Sequence, residues 1–435
     1  MTALEQLGAF VANHQPDERV CSGVRLHVAD LIGAWIAACG TAEGRALMAF
    51  RKDADALADR VAVNVALARL SEIDDIHLAA MITPGAIVVP SALTIAASLP
   101  DVTQGDLTAA IAVGYEAMIR LGAAIDGPSV LYRGIWPSYF AAPFGAAAVA
   151  ARLLKLDETR AANALSAALI MAAPGTGHHA AATTVRWLAV GHAAGRGLQA
   201  ALAAGAGFTS DLKLAEADLL KNVLGIALDS ALLGGGFDAP ALSQTSFKPW
   251  CAARQTMAAT QALKEILADG VEAQSILRIG IAVLPPHLKM IDHGVTAGDR
   301  FSHLTSVQYQ MAVAALAPDL AYSLSAPAGP LSPALSAFMT RIQVRAEEGL
   351  MAGGYPQSWP AHVTVTASGR RERTVTHVPG DPERPFGEAE LKAKFIRVTT
   401  DLFDPDRAEA EFAAALTALE RPAAFIREIG KIGAS

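Results

Sequence analysis

The chain has 435 residues, 52% hydrophobic and 18% charged, with a formal net charge of −7. That length is too great for one hydrophobic core and the apolar content excludes disorder, so two domains, or one large helical domain with an insertion, are expected. The acidic balance excludes a basic nucleic-acid-binding face, since Lys and Arg are scattered and meet only in short clusters such as Arg370-Arg371.

Residues 1 to about 245 read as successive Ala/Leu-rich helices at 18–39, 54–72, 90–99, 105–124, 140–153, 158–173 and 185–204, divided by Gly, Pro and Asp. Asp106 or Thr108 is placed to cap the helix that carries Tyr115, Glu116 and Arg120. The uncharged stretch Leu78 to Pro100 is long enough to span a bilayer. Pro84, Gly85 and Pro90 interrupt it, so it reads as a loop and then a buried helix from about Pro90, and no membrane span is expected. The pattern changes near Gly234-Gly235-Gly236. After a helix at about 253–268, alternation predicts strands at 276–283, 341–345, 362–366 and 373–378, with helices near 305–317 and 331–339 among them. Helical pattern returns from about Glu388. The expected architecture is mainly α with an α+β insertion: a large all-helical domain of residues 1–250 and 395–435, and a smaller α+β lid domain of residues 251–394.

Cys21, Cys39 and Cys251 form neither a CxxC pair nor a zinc spacing, and Met1 to Gln15 has no basic segment followed by an apolar one. A cytoplasmic protein is expected. Gly175-Thr-Gly177-His-His-Ala180 fits the loose dinucleotide pattern, but no strand precedes it and position 200 is Ala where a carboxylate is needed, so no nicotinamide cofactor is expected. His178 and His179 are adjacent, and adjacent helical residues diverge by about 100°, which argues against a shared metal and leaves one of them free to face a substrate.

Asp74-Asp75-Ile76-His77 closes an apolar helix. Acids at a helix C-terminus oppose the helix dipole, so something else must favour them, and a functional site is the sharper reading. Tyr132-Arg-Gly-Ile-Trp136-Pro-Ser-Tyr139 is an aromatic loop before a helix of small residues, suited to a polar, half-buried pocket. Lys248 and Arg254 stand at the expected domain junction, where two cations can clamp substrate carboxylates.

Together these segments resemble the MmgE/PrpD family, whose members include 2-methylcitrate dehydratase, cis-aconitate decarboxylase and an iminodisuccinate epimerase. The resemblance is carried by Asp74-Asp75-Ile-His77 with Pro84-Gly85-Ala86, Gly114-Tyr115-Glu116 with Arg120, Gly191-x-Ala193-Ala194, Lys248-Pro249-Trp250, Ser306-Val-Gln308-Tyr309, Tyr355-Pro356 and Leu391-Lys-Ala-Lys394-Phe395. It implies a homodimer, an active site between the domains, a small di- or tricarboxylate substrate, and no metal or organic cofactor. The chain departs from the family where dehydratases and decarboxylases carry two His and a Lys: Thr83, Trp136 and Arg186 stand at those positions, and Ala189 replaces a further His.

Family reactions begin at a C–H beside a carboxylate or carbonyl, which needs a base and a stabilised enolate. Epimerisation asks for a proton to leave one face and another to return on the opposite face. The expected activity is therefore a cofactor-independent epimerase or isomerase of an amino- or iminodicarboxylate. His77 is the expected base, and Tyr139, or alternatively Lys248, the acid. Arg186, Lys248 and Arg254 are expected to bind carboxylates, beside Trp136. Asp74 or Asp75 would orient His77 or bind a substrate amine. A hydro-lyase on a tricarboxylate using His178 or His179, a decarboxylase, and an inactive carboxylate-binding homologue are the alternatives.

Overall fold

In the computed structural model, residues 1–52, 54–172 and 184–432 are described, and His178 and His179 lie outside them. The described chain forms two compact units, Met1–Phe247 with Gly387–Ser435, and Lys248–Phe386. The fold is mainly α, with a small α+β portion.

The first unit is built around helices that are apolar on every side. In Gln104–Ala124 every residue from Leu107 to Gly122 is buried, and in Pro137–Leu153 every residue from Pro137 to Ala151. A helix with no polar face belongs inside a core. Glu18–Cys39 and Gln104–Ala124 are long and apolar enough to cross a membrane, but most of each is buried within the unit, as core helices are. Small residues let neighbours approach: a Cβ at Gly191, on Val185–Gly205, would collide with the Ala62 carbonyl oxygen on Leu57–Leu70.

Two local readings change. Gln104–Ala124 is capped by Thr103, which accepts the Asp106 N–H at 3.1 Å while Asp106 accepts the Thr103 N–H at 3.1 Å. This reciprocal box satisfies two end donors, which neither Asp106 nor Thr108 does as the cap residue itself. The helix expected from Pro90 begins at Gly85 and carries Pro90 inside it. Its N-terminus is fixed by a side chain ten residues earlier: Asp75 accepts the Gly85 N–H at 2.8 Å.

Asp75 belongs to a two-residue strand, β1 (Ile76–His77), only by adjacency, and β1 pairs antiparallel with β2 (Thr245–Ser246). Helix Glu388–Thr399 packs on Glu18–Cys39 and is unbroken through 394/395. Its Lys394 is buried, with Nζ 2.7 Å from Asp30 and donating to the Ile73 carbonyl at 3.2 Å. Burial pushes the Asp30 pKa up, and Lys394 acts against that shift.

The second unit holds a four-stranded sheet in the order β4-β3-β5-β6. Here β3 is Arg278–Val283, β4 Ile342–Ala346, β5 Ala361–Thr366 and β6 Arg370–Val375. β3 runs parallel to β4 and antiparallel to β5, and β5–β6 is a hairpin closing at Thr366 and Arg370. Ile279, Ile281, Val363 and Val365 share the buried face with Met257 and Leu263 of helix Arg254–Ala268.

The Tyr115 hydroxyl donates to buried Asp75 at 2.6 Å. Tyr115→Phe should therefore cost about 1.5–3 kcal/mol, the value of a hydrogen bond to a charged group. Urea unfolding measures it, and a loss below about 0.5 kcal/mol would show that this contact does not matter.

Candidate active site

Two buried clusters adjoin the Asp74–His77 segment in the first unit. In the first, Asp75 takes three donors: the Tyr115 hydroxyl, the Gly85 N–H, and His27 Nδ1 at 2.8 Å. The His27 ring stacks on Phe247 with centroids 4.2 Å apart. A Cβ at Gly85 would lie 2.7 Å from both Asp75 Oδ1 and the Tyr115 hydroxyl, so only glycine fits there. Burial and the Asp75 charge hold the Tyr115 phenol protonated, well above its ordinary range. Asp75 thus secures three helices rather than orienting His77 or binding an amine.

The second cluster gathers four of the candidates, Asp74, Trp136, Tyr139 and Arg186. Arg69, buried at the end of Leu57–Leu70, pairs with Glu72 at 2.6 Å and Asp74 at 3.2 Å. Trp187 Nε1 donates to Glu72 at 3.3 Å. The Arg69 guanidinium stands 5.9 Å from the Tyr139 ring centroid, and Tyr139 leans on Trp136 at 5.6 Å. Arg186, also buried, stacks over Trp136 at 5.4 Å. Burial raises the Tyr139 pKa to about 12 while the charges of Arg69 and Arg186 oppose that rise. Thr83 donates both its N–H and its hydroxyl to Ser138 Oγ, at 2.9 and 3.0 Å, which ties the Pro84-Gly85 turn to the residue before Tyr139.

His77 lies on β1, bridged to Ile82. Its Nδ1 accepts the Ala80 N–H at 3.2 Å, and neither Asp74 nor Asp75 bonds to it. The neutral ring therefore carries its hydrogen on Nε2. Burial lowers its pKa to about 4. A base role at Nε2 begins only after the ring moves its hydrogen to Nδ1 and releases Ala80.

Arg69 and Glu72 were not among the expected site residues. The signal was an Arg and a Glu at the end of a helix whose second half, from Val61, is apolar apart from Asn64. Glu72 also holds φ of 56°, and Met81 φ of 55°, a left-handed backbone that non-glycine residues adopt at a cost. Such strain at both ends of the loop accompanies the packing of its acids inward.

Lys248 and Arg254 belong to the second unit. Both are buried. Arg254 opens its helix and holds Asp381 at 2.6 Å through Nη2, and Asp381 also accepts the Val378 N–H at 2.8 Å. Trp359 lies under the Arg254 guanidinium at 5.8 Å and against His287 at 4.9 Å. Burial and the Arg254 charge lower the His287 pKa to about 3. Part of the expected carboxylate clamp is thus committed to Asp381. Among the described residues no group of three or more His, Cys, Asp or Glu is arranged to hold a metal ion.

The geometry alone gives a mainly helical unit with buried cations around a protonated phenol. The family comparison is more specific. The MmgE/PrpD N-terminal domain matches residues 5–221 and the MmgE/PrpD C-terminal domain matches residues 250–418. The chain belongs to the MmgE/PrpD family, and so to a family of dehydratase, lyase and isomerase enzymes. No curated protein matches it.

The His77 pKa has a consequence for stability. The unfolded ring binds its proton near pH 6.5 and the folded ring near 4. The neutral ring's contribution is whole above pH 6.5 and is lost as pH falls towards 4, by about 3 kcal/mol in all. Between pH 7 and 4 the wild type should lose about that much more stability in urea unfolding than His77→Gln. Parallel curves for the two proteins would sink the assignment.

Arg69→Met leaves Glu72 and Asp74 buried without their common cation. It should destabilise by about 3–5 kcal/mol, read from the same unfolding curves. A loss under 1 kcal/mol would mean that solvent reaches the two acids.

Proposed function

We propose that this enzyme moves a proton at a carbon next to a carboxylate without an organic cofactor, as an epimerase of an amino- or iminodicarboxylate. The observation that carries the reading is Tyr139: a buried, protonated phenol within electrostatic reach of Arg69 and Arg186. Arg69 is matched by two carboxylates, and Arg186, which stands over Trp136 and acts on Tyr139, is the cation this reading assigns to a substrate carboxylate. Its charge offsets that of the enolate as the C–H bond breaks.

Epimerisation by two groups requires one to start without its proton and the other with it. At neutral pH a ring titrating near 4 is unprotonated and a phenol titrating near 12 is protonated. His77 Nε2 takes the substrate proton after its tautomer shift, and Tyr139 delivers one to the opposite face. Dehydration makes a further demand, an acid for the departing hydroxide. At two positions where dehydratases of this family carry His, this chain has Thr83, whose hydroxyl is donated to Ser138, and Trp136.

Incubation of a dicarboxylate panel in D₂O tests the reading. The inverted centre should acquire deuterium with no alkene formed and no CO₂ released. His77→Gln and Tyr139→Phe should each lose epimerisation by at least about 100-fold, the lower end of what a general acid or base contributes. Each should retain deuterium exchange into one epimer only, and into opposite epimers. An unsaturated product, or no exchange with any substrate, overturns the proposal.

The pH profile is a second check. With both groups titrating far from neutrality, kcat/KM should be flat from about pH 6 to 9. An acid limb near the ordinary imidazole value of about 6.5 would remove His77 from the base role.

A further inference from the structure

Away from the Tyr139 cluster, the first unit has a cavity of about 250 Å³ lined by Arg45, Met48, Ala49, Arg51, Lys52, Arg60 and Gly430. The four cations come from helix Ala42–Arg51 and its C-cap, and from the first turn of Leu57–Leu70, while Gly430 comes from helix Pro422–Ile432. Among the described residues no carboxylate lines it. Asp59, next to Arg60, lines a neighbouring cavity with His192 instead.

Helix dipoles explain only half of this charge. Arg51 and Lys52 stand at the C-terminus of their helix, where cations are favoured. Arg45 and Arg60 stand near helix N-termini, where cations are disfavoured. Arg45 is held there by donating to the Gly40 carbonyl at 2.7 Å. Arg51 is half-buried and donates to the Ile426 carbonyl at 3.1 Å. A Cβ at Gly430 would lie 2.6 Å from Arg51 Nη1, so the glycine makes room for that guanidinium. Among the described residues no acid pairs with Arg51, Lys52 or Arg60. Burial and the neighbouring Arg60 charge both lower the Arg51 pKa. Like charges held together in a concavity focus the field and draw in an anion.

We propose that this cavity binds a phosphate group, free or as a small phosphomonoester. Three guanidinium groups offer many donors from several directions, which suits a compact, multiply charged oxyanion. At about 250 Å³ the space lies below the roughly 300 Å³ at which drug-sized pockets begin. The site is separate from the proposed epimerisation chemistry and does not depend on it.

Isothermal titration of the full chain with inorganic phosphate, and separately with glycerol phosphate, at constant ionic strength provides the test. Saturable binding of one phosphate per chain is expected. Arg51→Gln and Arg60→Gln should each weaken it at least tenfold, Gly430→Ala should weaken it by displacing Arg51, and Arg186→Gln should leave it unchanged. Arg60 is exposed, so Arg60→Gln should fold normally, with its circular dichroism as the check. Non-saturable heats overturn the proposal. So does wild-type affinity in Arg60→Gln, or equal weakening in Arg186→Gln.

Discussion

The first unit depends on one carboxylate. Asp75 accepts from a phenol on Gln104–Ala124, an imidazole on Glu18–Cys39, and the first N–H of Gly85–Ala96. A carboxylate fully removed from water is tolerable only when its lone pairs are used, and three donors use them. The same arrangement makes each donor's helix position conditional on the other two. It also dictates the glycine at 85, because the oxygen atoms that hold the backbone leave no space for a side chain. The Pro84-Gly85 turn, and with it Thr83 and Ser138, is placed by this anchor.

Two further buried ion groups stand beside it. Arg69 gathers Glu72 and Asp74, and Lys394 joins Asp30 to the Ile73 carbonyl. Each is costly to bury and is repaid only by good geometry, so these groups add little net stability over apolar packing. Their effect is on register. A core of Ala and Leu packs nearly as well after a helix slides by one turn, whereas a buried charge has one partner. Lys394 therefore seats Glu388–Thr399 on Glu18–Cys39, though the two are far apart along the chain.

Much of this was legible in the sequence. Helical pattern and punctuation mark the long buried helices such as Glu18–Cys39, Gln104–Ala124 and Val185–Gly205 but not Ala42–Arg51, and alternation marks the four strands of the second unit, the last expected at 373–378 and found at Arg370–Val375, because burial on one face imposes those periods. β1 and β2 were not legible: two-residue strands have no period to read, and they exist only because the chain brings Ile76 and Ser246 together. The helix start at Gly85 was missed for a related reason, since its cap is a side chain ten residues earlier that the local pattern does not reveal. The candidate site was legible in its residue types and not in their roles. Asp74 and Asp75 look alike in sequence, yet one pairs with a guanidinium and the other holds three helices. Arg254, expected to hold substrate, spends part of its guanidinium on Asp381.

The acids after Leu70 opened the question of a site because they oppose the dipole of the helix they follow. The structure resolves that objection in a way that separates scaffold from chemistry. Asp75 faces the N-terminus of the next helix, where a negative charge is favoured, and Asp74 is matched by Arg69. Both carboxylates are thereby built into the frame. A frame held by such contacts can keep its shape while the groups around Tyr139 change, because Thr83, Trp136 and Arg186 carry none of the bonds that secure Asp75. Exchange of an imidazole for a hydroxyl or an indole at these positions alters which protons can move without disturbing how the helices meet. That independence is a physical reason why one helical frame can serve a family of dehydratase, lyase and isomerase enzymes.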